Sequence, residues 1–163
     1  MVRELARFNG GVRIESGLSA QKTWPDPVNL GYISVADGDS TFTSGEYTKA
    51  LGRAANAQGS GTIANGVASH SEGYQTSAVA TGTGSIGDEM YGSHAEGWKT
   101  LADNGGHAEG AETIASDGFY AHAEGIETIA SGDGSHAEGY HSRAINGSYA
   151  HAEGINTFAW GSI

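Results

Sequence analysis

The four residues His-Ala-Glu-Gly stand at 94–97, 107–110, 122–125, 136–139 and 151–154, and His-Ser-Glu-Gly stands at 70–73. Repetition on this scale constrains the fold before any other feature does. The motif histidines fall at 70, 94, 107, 122, 136 and 151, with gaps of 24, 13, 15, 14 and 15. A second element, Thr-x-Ala, keeps step with them at Thr62, Thr76, Thr100, Thr113, Thr128 and Thr157; Ser142 takes the same place once, and Thr48 extends the series backwards. Eight registers of about fourteen residues result. The gap of 24 is one unit plus an insertion of about ten residues, placed near 82–92.

Each unit runs small-His-Ala-Glu-Gly, two residues, Thr-x-Ala, then a turn rich in Gly, Asn and Asp. Such short pieces cannot nucleate useful helices, and a Gly in every unit opposes helix further. Two strands of four or five residues joined by tight turns fit the count. One coil of this kind cannot bury an apolar face alone, whereas stacked identical coils bury a continuous strip. Hydrophobic residues make up 37% of the chain, so the core this predicts is narrow. At about 4.8 Å per coil, eight coils make a rod of roughly 38 Å.

The formal net charge of −11 argues against nucleic acid as a partner, because phosphate neutralisation needs Lys and Arg. The absence of cysteine excludes disulfides and thiolate metal sites. No stretch approaches the roughly 20 apolar residues of a membrane helix, so membrane insertion is not expected. The N-terminal residues lack the apolar run of a signal peptide.

The alternation Ser-His-Ala-Glu-Gly … Thr-x-Ala … Ser-His-Ala-Glu-Gly over about residues 45–163 resembles the head repeats of trimeric autotransporter adhesins, the YadA-like head. Related repeats occur in bacteriophage tail-fibre proteins. The resemblance implies an all-β fold, a left-handed parallel β-roll, assembled as a parallel homotrimer. His and Glu here stand where that family usually has Val and Ile.

Alternation of side chains along a strand puts Ala95, Ala108, Ala123, Ala137 and Ala152 on one face of the motif strands, and the His and Glu on the other. A narrow interior takes the alanines, so the His/Glu face points outwards. Stacking then aligns His70, His94, His107, His122, His136 and His151 into one ladder, and Glu72, Glu96, Glu109, Glu124, Glu138 and Glu153 into another. The expected role is an intersubunit ladder, with Glu of one chain meeting His of the next and fixing register. Such pairing would lower the Glu pKa values, raise those of the His, and make the assembly most stable in mild acid. A metal site is the weaker reading, and six equivalent pairs do not suit catalysis. No catalytic residue, cofactor or metal is therefore expected. Tyr74, Trp98 and Tyr140, which follow the motif Gly, are candidate surface-binding aromatics, with packing between coils as the commoner alternative. His141 lies off the motif and is expected at the surface.

Residues 1–45 do not show the repeat. They are expected to cap the solenoid or dock it onto other virion proteins, leaving 46–163 as the repeat domain. A chain that starts at Met1 without a signal segment points to a phage or prophage tail fibre in the virion, attaching to a cell-surface receptor or glycan. The alternatives are an autotransporter head on a bacterial surface and an ice- or mineral-binding solenoid presenting the Thr ranks. A hexapeptide-type acyltransferase ranks last, because fourteen is not a multiple of six.

Overall fold

A computed structural model describes residues 28–80 and 92–161. They form eighteen strands in two nine-stranded parallel sheets. Odd-numbered strands make the first sheet: β1 (Val28–Tyr32), β3 (Phe42–Glu46), β5 (Asn56–Ser60), β7 (His70–Tyr74), β9 (His94–Trp98), β11 (His107–Ala111), β13 (His122–Ile126), β15 (His136–Tyr140) and β17 (His151–Ile155). Even-numbered strands make the second: β2 (Val35–Ala36), β4 (Lys49–Ala50), β6 (Ile63–Ala64), β8 (Ser77–Val79), β10 (Leu101–Asp103), β12 (Ile114–Ser116), β14 (Ile129–Ser131), β16 (Arg143–Ile145) and β18 (Phe158–Trp160). Each coil supplies one strand to each sheet, so the described residues form a parallel β-solenoid of nine turns.

Nine coils replace the eight expected, and the boundary at 45/46 falls inside a strand. Val28 pairs with Phe42 and Phe42 with Asn56, each fourteen residues on. These early coils lack the His-x-Glu motif but keep the coil geometry through Gly31, Gly45 and Gly59. Of residues 1–45, expected to cap or dock the solenoid, 1–27 lie outside the described residues, as does nearly all of the insertion near 82–92. The insertion leaves the ladder intact: His70 pairs directly with His94, and Ala78 with Ala102.

The interior holds columns of small side chains. Ala57, Ala95, Ala108, Ala123 and Ala137 are fully buried on the first sheet, and Ala50, Ala64, Ala78, Ala102, Ala115, Ala130 and Ala144 on the second. Among the described residues Thr is the largest fully buried residue type. The expected assignment of faces therefore holds, with alanine inside and His and Glu outside. Thr48, Thr62, Thr76, Thr100, Thr113 and Thr128 are buried as well. The rank of threonines on which the ice-binding reading rested is thus turned inwards.

Two backbone features set the thinness of each coil. The motif Gly has φ of +112° to +121° at Gly73, Gly97, Gly110, Gly125, Gly139 and Gly154. A Cβ at Gly125 would sit 2.1 Å from the carbonyl oxygen of Gly139 in the next coil, so only glycine lets the coils close up. Two residues on from that Gly, the chain turns through a left-handed residue: Gln75, Lys99, Glu112, Glu127, His141 and Asn156 have φ of +54° to +55°. The corner amide donates to the preceding coil, as Glu127 N–H does to the Ala111 carbonyl at 2.8 Å.

Candidate functional site

The repeat delivers its chemistry to the outer side of the first sheet. In β7, β9, β11, β13, β15 and β17 the second residue is buried, and the first and third project outwards. Parallel in-register pairing then stacks like on like: His107 beside His122 and Glu109 beside Glu124, with the same match at every step from His70 to His151. All twelve sequence-predicted ladder residues are brought together in two columns.

The imidazole column is continuous. Successive ring centroids lie 5.0, 4.8, 4.8, 4.7 and 4.9 Å apart from His70 to His151. The interplanar angle falls from 60° between His70 and His94 to 4° between His122 and His136. Spacing equal to the strand separation is what parallel pairing imposes.

Each imidazole already faces a carboxylate of its own strand. The Nε2–Oε2 distances are 3.3 Å in His70–Glu72, 3.5 Å in His94–Glu96, 3.6 Å in His107–Glu109, and 3.8 Å in His122–Glu124, His136–Glu138 and His151–Glu153. Only the first is within ordinary hydrogen-bond reach. Nε2 of His94, His107, His122 and His136 is shielded from solvent and has no hydrogen-bond partner.

Charge on the column is disfavoured where a direction is resolved. Burial lowers the His94 pKa below 6.5, and His107 and His70 add to it, while Glu96 pulls the other way. Burial likewise lowers that of His122, helped by His107 and His136 and opposed by Glu124 and Glu109. The sequence led to the expectation of raised values. Within one chain, desolvation and the imidazole neighbours above and below outweigh the nearby carboxylates at His94 and His122.

Tyr74, Trp98 and Tyr140 are each a little under half exposed. They belong to one column that continues through Ala111, Ile126 and Ile155. Beside it the corner residues make their own contacts between coils. Lys99 Nζ lies 4.2 Å from the centre of the Trp98 ring and 3.4 Å from Glu112 Oε1. His141 Nε2 lies 2.9 Å from Glu127 Oε2 and its ring packs on Tyr140. His141 is thus at the surface as expected but paired with a carboxylate, a contact that a search for the His-x-Glu motif does not reach. The fourteen-residue offset of Glu127 and His141 is the signal that locates it.

Further exposed aromatics, Tyr120 and Tyr149, sit on left-handed turn residues at the opposite corner. They escaped the sequence search because they vary from unit to unit. Among the described residues no helix is long and apolar enough to cross a membrane. No protein-family model matches the chain, and neither does any curated protein, so the functional reading rests on these columns.

Proposed function

We propose that the chain is a structural and adhesive fibre segment in which three parallel copies associate through the outer side of the first sheet. The left-handed winding and the threefold count come from the resemblance to YadA-like heads and phage tail-fibre repeats. The observation that carries the association is the uncovered apolar column of Tyr74, Trp98, Ile126, Tyr140 and Ile155, whose exposure runs from 44% to 73%. An interior of Ala, Ser and Thr contributes little apolar burial for each residue ordered. Covering that column is a large hydrophobic gain still open to the molecule, and contiguous exposed apolar surface marks association sites. The His and Glu columns lie on the same strands. In the assembly they line the seam, where the unpartnered Nε2 atoms meet acceptors or donors of a neighbouring chain. The assembled rod serves in a phage or prophage virion, attaching to a receptor or glycan on the host surface, with residues 1–45 meeting other virion proteins.

Sedimentation velocity on the full chain tests this. An elongated trimer is expected, and Trp98→Ser with Tyr140→Ser should weaken association while the β-type circular dichroism spectrum persists. A stable monomer at micromolar concentration overturns the proposal.

A further inference from the structure

We infer that the ladder is a strip of binding sites for borderline divalent metal ions of the zinc and nickel type, with one His-x-Glu pair per coil as the repeating two-point ligand. The gaps between Nε2 and Oε2, from 3.3 Å at His70–Glu72 to 3.8 Å at His151–Glu153, are mostly too long for a good hydrogen bond. They suit an ion placed between the two atoms. Bonds of about 2.0–2.1 Å to nitrogen and about 2.0–2.2 Å to oxygen, at a tetrahedral angle, hold the donors roughly 3.3–3.5 Å apart. Opening that angle to about 125° reaches 3.8 Å with the same bonds. Imidazole and carboxylate are donors that zinc accepts together.

The ladder also has a need that an ion meets. Nε2 of His94, His107, His122 and His136 has no hydrogen-bond partner. The six motif carboxylates stand in a row on a chain of net charge −11, and like charges side by side on a sheet repel. A cation between the columns satisfies the nitrogen lone pair and neutralises the row.

Among the described residues no three His, Asp or Glu side chains surround a common point. Each rung therefore supplies two protein ligands, and water completes the sphere. A single rung binds weakly, and the strip gains by repetition. Magnesium, which prefers an octahedron of oxygens and its own water, gains nothing from the imidazoles. The inference concerns the ladder within one chain and does not depend on how many chains assemble.

Equilibrium dialysis of the chelator-treated full chain against zinc chloride at neutral pH tests it. The wild type should take up several zinc ions per chain, and magnesium should not replace them. Changing all six motif His to Gln, with His141 retained, should weaken uptake by roughly tenfold or more. Changing all six motif Glu to Gln should do the same. Equal uptake by the His variant overturns the inference, and equal uptake by the Glu variant overturns the pair as the binding unit. The single change His122→Gln keeps the test open should a six-fold variant fail to fold. It should lower the stoichiometry at mid-ladder, and unchanged stoichiometry counts against the proposal. Sedimentation of the same samples separates this from the assembly reading. Zinc held by a monomer leaves the ladder as a metal strip and removes the trimer, whereas a trimer that takes up no zinc does the reverse.

Discussion

The imidazoles of His122 and His136 stack face to face, with ring planes 4° apart and centroids 4.7 Å apart. Burial first, and then the imidazoles on either side, lower the pKa of His122. His122 has His107 on its other side and faces Glu124 and Glu109. His94 stands likewise between His70 and His107, facing Glu96.

The first prediction follows from the lowered pKa values of His94 and His122. A lowered folded pKa means that the unfolded chain binds more protons as pH falls below about 6.5. Stability is then highest at and above neutral pH, and declines as pH drops from that value towards the folded pKa. This reverses the mild-acid optimum expected of interchain ion pairs. Melting temperature recorded from about pH 8 down to about pH 5, in chelator, should fall for the wild type. It should fall less when His94 and His122 are both Gln. Parallel curves would remove the column from the explanation.

The second prediction concerns the interior. Ala137 is fully buried, and Gln75 sits at an exposed corner. Ala137→Leu forces a branched side chain between coils and should destabilise by about 1–3 kcal/mol. Gln75→Leu should stay within about 0.5 kcal/mol. Urea denaturation midpoints compare the two directly, and equal losses would mean that the inside of the coil is wrongly placed.

Much of this was legible in the sequence, and the reasons differ residue by residue. Spacing and alternation sufficed to put Ala123 inside and His122 outside, because parallel stacking of identical units has no freedom to do otherwise. The first coil was missed, and the boundary was drawn inside the second, because Val28–Tyr32 and Phe42–Glu46 carry no His-x-Glu-Gly motif. The signal was present in Gly31, Gly45, Gly59 and Gly73, each fourteen residues from the next. The left-handed corners were not legible, since Gln75, Lys99, Glu112 and Glu127 are not residues that announce positive φ. Tertiary stacking holds them there against their local preference. Alternation placed each His and Glu on one face but gave no distance between them, so the contact within a strand had to come from coordinates.

A third prediction contrasts two glycines. Gly125 has φ +115°, and an added Cβ would meet the backbone of the next coil. Gly125→Ala should lose at least the ~1–3 kcal/mol of a forced backbone, and disrupt the stacking beyond that. Gly61, at φ +69°, occupies a corner whose counterparts are Gln75 and Lys99, and an added Cβ there meets nothing closer than 3.4 Å. Gly61→Ala should cost no more than about 1–2 kcal/mol. Comparable losses on thermal melting would show that the corner is as confined as the strand.

The last prediction concerns the buried threonines. Thr48 shares a hydrogen bond with Ser34 at 2.9 Å, and Thr76 with Ser71 at 2.7 Å. Thr62, Thr100, Thr113 and Thr128 occupy the same column, yet their hydroxyl oxygens are buried without a hydrogen-bond partner. A buried hydroxyl left unpaired carries a penalty of about 1–3 kcal/mol. Valine has nearly the same shape and no polar atom. Thr113→Val should therefore leave stability unchanged or raise it by about 1 kcal/mol, whereas Thr76→Val should lower it by stranding the Ser71 hydroxyl. Both substitutions preserve the branched side chain that suits a strand edge, so the difference between them isolates the hydrogen bond. Urea denaturation of the two variants beside the wild type reads it. Destabilisation of Thr113→Val by as much as Thr76→Val would show that the Thr113 hydroxyl has a partner of its own, and that the column is held by polar contacts along its whole length.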